Sequence, residues 1–195
     1  MPDDAGVLSV DLTQIDAELA ARVGALLARV WPKPEKDAAY RAAQLIKLGT
    51  NYEGPAEQAP RLFYVADGDQ VIGVATMRPR AIRFGQIADN LGMTIMGLGL
   101  VGSDPERRGE GLGGQVVRAS FRMIDQGAAA FSLFQTTHQV RPFYEKLGAC
   151  LVKNRVVNSL GPTPSANPFW DEVVMRYPNQ GDWPAGVIDL LGPGY

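Results

Sequence analysis

The chain holds one cysteine, Cys150, and one histidine, His138, in 195 residues. A lone thiol closes no internal disulfide, and one Cys with one His makes no tetrahedral zinc site, so no metal centre is expected. No stretch reaches the ~18 continuous apolar residues of a membrane span. Charge of one sign is scarce too: 19 basic against 21 acidic residues leave a formal net charge of −2. That balance gives no global electrostatic reason to bind nucleic acid or an anionic membrane. The opening Met1-Pro2-Asp3-Asp4 is acidic where a secretory leader would be basic, so a cytoplasmic protein is expected.

Hydrophobic residues make up 46% of the chain. A chain of this length buries roughly 70% of its unfolded surface, enough for a core without covalent staples. One domain over 1–195 is expected. Ile15, Leu19, Val23, Leu26, Leu27 and Val30 recur at helical spacing after a cap at Asp11 or Thr13, and Trp31-Pro32 ends the run. A second helix is expected over 35–48. Then the period shortens. Strands are expected at 61–66 and 70–78 around an Asp67-Gly68-Asp69 turn, with Pro79 breaking the second, and again at 93–101. A helix follows at 112–126, a strand at 130–135, a short helix at 140–147, and strands at 153–160 and 171–177. The tail 178–195 is rich in Gly and Pro but carries Trp183, Val187, Ile188, Leu190 and Leu191, too apolar for free disorder, so it is expected to fold back. The result is an α/β chain with a mixed sheet.

Two stretches match the dinucleotide pattern G-x-G-x-x-G. Gly97 to Gly102 lies inside a strand with no helix after it, so it lacks phosphate-binding geometry. Gly109 to Gly114 does open a helix, but Asp104 to Arg108 separates it from the strand and the next strand ends in Gln135 rather than an acid. Arg108-Gly109-Glu110-Gly111-Leu112-Gly113 also reads as Arg-x-x-Gly-x-Gly. Glycines at 109, 111, 113 and 114 let successive amides line up without Cβ interference, at a helix N-terminus whose dipole favours anions. Arg107 and Arg108 add charge-assisted donors. The unit suits a diphosphate; the plain alternative is a Gly-rich turn with two solvated arginines.

This turn, the strand before it and the run Phe143-Tyr144-Glu145-Lys146-Leu147-Gly148 after Thr137-His138 together resemble the GCN5-related N-acetyltransferases (GNAT). The resemblance covers roughly residues 10 to 177. It implies the GNAT fold, a mixed, mostly antiparallel central sheet of about six to seven strands flanked by helices. It implies acetyl-CoA as co-substrate, its diphosphate on Arg107, Arg108, Gly109, Gly111, Leu112, Gly113 and Gly114, and pantetheine on the backbone near Leu100 and Val101. Thr137 stands where the family often has an Asn. Val173 to Pro178 and Trp183-Pro184-Ala185-Gly186 resemble the nodulation acyltransferases and, more loosely, the aminoglycoside 2'-N-acetyltransferases, in which the tail lies near the acceptor site.

Acyl transfer from a thioester to an amine requires the donor held, its carbonyl polarised, the amine deprotonated and the thiolate protonated. By the resemblance Tyr144 is the acid; the alternative is a helix tyrosine packed on the sheet. No acid stands on the strand before the loop. The base candidates are Asp89, His138, Glu172, Asp182, Asp189 and the Tyr195 carboxylate, or water relays the proton. His138 is a candidate because imidazole is the side-chain type that exchanges protons near neutral pH; a surface or capping role is its alternative. Trp183 suits an acceptor pocket or simple docking of the tail. The partners expected are acetyl-CoA and a small-molecule amine, with a homodimer left open. The rivals are a non-catalytic acyl-CoA-binding module and a transferase using a longer acyl donor or an acyl carrier protein, for which Arg78, Arg80 and Arg83 are the local basic cluster.

Overall fold

The computed structural model describes residues 6–50, 52–85 and 91–195. They form two compact units, Met1–Arg78 with Leu98–Gln126 and Pro79–Gly97 with Gly127–Tyr195. Two long strands, β3 (Gln70–Phe84) and β4 (Leu91–Ser103), run from one into the other.

In the first unit β1 (Leu8–Asp11) pairs antiparallel with β2 (Arg61–Asp67), and β2 with β3, giving the order β1-β2-β3-β4. Gly68, at φ +56°, takes the left-handed conformation that the tight Asp67–Gln70 turn demands. Helix α1 (Ala17–Val30) starts at Asp16, whose carboxylate accepts the Leu19 amide at 2.7 Å. The predicted cap at Asp11 moves because Asp11 instead closes a short 3-10 turn, accepting from the Thr13 amide and hydroxyl. Helix α2 (Ala38–Gly49) begins three residues after the expected onset at 35, capped by Asp37, and Pro34 precedes it. Leu19, Val23, Leu26 and Leu27 of α1 join Leu45, Leu62, Val71 and Val74 in one core, each buried side chain contributing about 1.5–3 kcal/mol. Helix α3 (Leu112–Asp125) completes the unit.

In the second unit β4 pairs parallel with β5 (Ser132–Thr136) at Met96–Ser132 and Gly97–Leu133. Helix α4 (Arg141–Lys146) follows β5. Strand β8 (Val173–Tyr177) pairs antiparallel with β5 from Ser132–Tyr177 to Thr136–Val173, and with β6 (Cys150–Leu151) on its other edge. Of the predicted strand at 153–160 only β7 (Val156–Val157) forms, lying parallel to β9 (Ile188–Asp189) of the tail, while the pairing with β8 is made earlier in the chain by β6. Strand β9 also pairs with β3 at Phe84–Ile188. These two-residue strands account for the sheet segments beyond the expected six or seven. Pro79 does not break β3. The last β2 partner of β3 is Met77, so the missing proline amide costs that ladder nothing. The tail is packed: Ile188 and Leu190 are fully buried among Ile82, Phe84, Ile95, Phe131 and Leu133, with Trp183 and Tyr195 against them.

Candidate active site

Strand β4 delivers the chain to Asp104, which is 5% exposed. Its amide donates to the Ile72 carbonyl at 2.8 Å, and its carboxylate accepts from the Glu106 amide at 3.1 Å and from Arg29 at 2.7 Å. The Glu106 bond first, and Arg29 with it, hold the Asp104 carboxyl below its usual range in spite of burial. Arg107 is committed to carboxylates: one nitrogen meets Asp67 at 2.6 Å and another Glu110 at 2.8 Å. The loop entrance is thus pinned from three directions.

Beyond it Gly109 (φ +91°) and Gly111 (φ +78°) adopt left-handed backbone that a side chain would strain by about 1–2 kcal/mol. Gly111 is the N-cap of α3, and no side chain caps the helix. The first amide to find a helical carbonyl is that of Gln115, bonding Gly111 at 3.1 Å. The amides of Leu112, Gly113 and Gly114 come before it, and no carbonyl among the described residues accepts from them. Arg108 is exposed and forms no ion pair among the described residues. Arg118, one turn along the helix, lies back toward the N-terminus with its guanidinium at Gly114, and its buried Nε has no partner. Uncapped amides, a left-handed glycine hinge and two guanidinium groups that are uncommitted among the described residues supply the kind of donors that a multiply charged anion requires.

On β4 itself Leu100 has φ +50°, an irregularity in a strand interior for a residue with a branched side chain. The buried Thr76 hydroxyl of β3 donates to the Gly99 carbonyl at 3.0 Å, satisfying it at the kink. Val101 follows, half-buried.

In the second unit Tyr144 is 6% exposed on α4 and packs against Phe134 (ring centroids 4.7 Å) and Phe143 (4.9 Å). Burial, with the Asp171 charge added, raises its phenol well above the ordinary tyrosine range. Its hydroxyl bonds to no described residue. Thr137 holds the start of α4: its carbonyl accepts from the Val140 and Arg141 amides, and its hydroxyl from Val140 at 3.3 Å. His138 is exposed on the turn between β5 and α4. Gln135 of β5 accepts the Trp170 and Asp171 amides, each at 2.9 Å, and donates at 2.7 Å to a backbone oxygen of Tyr195, the carboxylate named among the base candidates.

The loop candidates, with Leu100 and Val101, fall in the first unit, and Thr137, His138 and Tyr144 fall in the second. Trp183 serves docking: its ring meets Phe84 and Phe131 edge-on, each at 5.0 Å, and its indole donates to Asn154. Arg80 spends its guanidinium on the Leu190 and Pro193 carbonyls. Asp189 accepts from the Ser159 and Leu191 amides; against burial these bonds keep its carboxyl below the usual range. Asp89 lies outside the described residues. Sequence reasoning misses Arg118 and Gln135. Only Arg118 leaves a local signal, as an arginine four positions after a helix-opening glycine. Among the described residues no acidic, His or Cys cluster could hold a metal ion, and no helix is long and apolar enough to cross a membrane.

Residues 59–148 match the family model of the acetyltransferase (GNAT) domain. A GNAT family acetyltransferase from Brucella melitensis, solved in complex with acetyl-CoA, is 16% identical over 94% of each chain, with a TM-score of 0.56. A probable N-acyltransferase from Enterococcus faecalis V583 shares 18% identity over 73% of this chain, TM-score 0.52. A GCN5-related N-acetyltransferase from Kribbella flavida shares 19% over 74%, TM-score 0.51. This chain spans about a third of the length of those last two, 32% and 33%. These likenesses are of fold. Among curated proteins no sequence match is found.

Proposed function

We propose that the chain is a GCN5-related N-acetyltransferase, as the match of residues 59–148 to that acetyltransferase domain and the shared fold support, and that it transfers an acetyl group from acetyl-CoA to an amine of a small molecule. The observation that carries the proposal is the uncapped glycine-rich N-terminus of α3 with Arg108 and Arg118 beside it. There the amides of Leu112, Gly113 and Gly114 and the two guanidinium groups bind the CoA diphosphate, with Gly109 and Gly111 setting the backbone path. Arg107 acts one step back. Tied to Asp67 and Glu110, it fixes the loop rather than the phosphate. The Leu100–Val101 backbone, with its irregular φ of +50° at Leu100, holds pantetheine. Thr137 serves by anchoring α4.

Tyr144 answers the leaving group. A thiolate titrates at about 8.5 by analogy with cysteine, and a free phenol at about 10. Burial pushes Tyr144 further up, so outright ionisation of the phenol to feed the sulfur runs uphill. Tyr144 therefore acts by donating a hydrogen bond as the C–S bond breaks, while the amine nitrogen's surplus proton replaces the one passed to sulfur. The unpartnered hydroxyl on a rigidly stacked ring is pre-organised for that single task.

Calorimetric titration with acetyl-CoA, followed by an assay of amine-dependent thiol release, tests the proposal. Tight binding with turnover supports it. Binding with no turnover for any amine leaves an acyl-CoA-binding module instead, and no binding removes the diphosphate site.

A further inference from the structure

A left-handed residue inside a strand persists only where its surroundings over-determine it. Leu100 is such a residue, at φ +50° on β4. Two neighbours hold it. Its half-buried side chain packs against the core that α1 builds with Leu62, Val71 and Val74. The carbonyl just before it, that of Gly99, accepts the Thr76 hydroxyl at 3.0 Å. Both anchors lie in the first unit, as Leu100 does.

Thr76 is an odd residue for its place. It is 2% exposed. It sits opposite Leu62 in the β2–β3 pair and two positions from Val74, so the three share one face of the sheet. Leu62 and Val74 are fully buried in the apolar core. The run from Val71 to Met77 carries no other polar side chain. Valine has nearly the same shape and no hydroxyl to desolvate, so packing alone favours valine here. What the hydroxyl adds is its bond to Gly99. The Gly99 carbonyl and the Leu100 N–H belong to one planar trans peptide, in which the two point in opposite directions. Holding the carbonyl toward Thr76 therefore aims the Leu100 N–H away from it. Strand β4 lies between β3 and β5, and its pairing with β5 runs only to Gly97–Leu133. No β5 residue pairs with Leu100 or Val101.

We propose that Thr76 is a positioning residue for the acyl donor: by holding the Gly99 carbonyl it sets the direction of the Leu100 amide, and with it the backbone that meets the acyl-pantetheine arm. The inference rests on the transferase reading above and extends it to a side chain that touches neither donor nor acceptor. Thr76 acts through one peptide plane. The diphosphate end of the donor is held separately, at the N-terminus of α3. Loss of the Thr76 hydroxyl is therefore felt at the pantetheine end alone.

The test uses the full chain with Thr76→Val, which keeps the shape and removes the hydroxyl, and Thr76→Ser, which keeps the hydroxyl. The probes are acetyl-CoA and 3'-phosphoadenosine 5'-diphosphate, which carries the diphosphate but no pantetheine. Their affinities are read by calorimetry. Thr76→Val is expected to weaken acetyl-CoA binding about tenfold, the worth of one well-placed hydrogen bond. It leaves the affinity for 3'-phosphoadenosine 5'-diphosphate unchanged, and Thr76→Ser restores most of the acetyl-CoA affinity. Wild-type acetyl-CoA affinity in Thr76→Val, an equal loss for both probes, or a loss that serine does not restore overturns the assignment. A measurement on the wild type decides the matter even where Thr76→Val does not fold. Acetyl-CoA, unlike 3'-phosphoadenosine 5'-diphosphate, is expected to slow hydrogen exchange at the Leu100 amide, and no slowing overturns the proposal. Failure of the wild type to bind acetyl-CoA sinks the transferase reading itself, a result distinct from the others.

Discussion

Arg29 of α1 holds Asp104 of the loop at 2.7 Å across 75 residues of sequence. The pair is unequal: Arg29 is 43% exposed at its side chain and Asp104 only 7%. The solvent therefore screens the attraction, and the cap that Asp104 gives Glu106 matters more. Asp104→Ala is expected to cost about 2 kcal/mol, and Arg29→Ala less than about 1 kcal/mol. The pH dependence follows from the depressed folded-state pKa. Carboxylates unfold with a pKa of about 3.9. The stabilisation is thus fully present above that value and fades as pH falls through the lower folded value. Urea melts of wild type and Asp104→Ala should differ at pH 7 and converge in strong acid. A constant difference across that window would show that ionisation of Asp104 contributes nothing.

Among the described residues Arg108 forms no ion pair and the buried Nε of Arg118 has no partner. Replacing either by alanine should weaken acetyl-CoA binding about tenfold, the worth of a charge-assisted hydrogen bond, and leave the melting temperature unchanged. The binding should also weaken with added salt. Gly111→Ala acts through φ +78° instead. It should cost both stability and affinity, because the helix start must shift to relieve the strain. Equal acetyl-CoA affinity in all three variants places the anion elsewhere.

Tyr144→Phe keeps the stacking on Phe134 and Phe143 and removes one hydroxyl. Acetyl-CoA affinity should hold while kcat falls roughly 100-fold, since the bond to sulfur exists only as the C–S bond breaks. The raised phenol stays protonated well past pH 9, so the wild-type rate should show no alkaline fall from this residue below pH 10. A fall centred near neutrality would assign the acid role to another group.

What the sequence discloses and what it hides divide along locality. The α3 loop is legible because its signals are adjacent residues: glycines, arginines and a helical period after them. Leu19, Val23 and Leu27 show their buried face for the same reason. The start of α1 is misplaced in sequence, where Asp11 or Thr13 is the expected cap, because those two residues close a 3-10 turn of their own and leave the cap to Asp16. The 153–160 segment reads as one strand but is not, because Asn154 turns aside to bond the Pro184 and Gly186 carbonyls of the tail. Its pattern answers to partners 30 residues and more away. Thr76 carries no motif at all; its partner, the Gly99 carbonyl, lies 23 residues on, beside a backbone angle at Leu100 that no sequence pattern shows.

Gly97 and Tyr195 offer the sharpest test of how the tail is held. A Cβ at Gly97 would overlap the Tyr195 ring. That ring is fixed by its own hydroxyl, which donates to the Leu133 carbonyl at 2.9 Å, by Phe169 edge-on at 5.4 Å, and by the Arg80 guanidinium 5.5 Å from its centroid. Gly97→Ala must therefore displace the ring or the strand, at about 1–3 kcal/mol. Tyr195→Ala removes the obstacle together with the ring's own packing. The two losses are then not additive. In the double variant the alanine methyl has room, and a cycle of denaturant melts should return a coupling of about 1–3 kcal/mol in favour of the pair. Strict additivity would mean that Tyr195 does not rest on β4 in solution, and that the tail leaves this face of the sheet open.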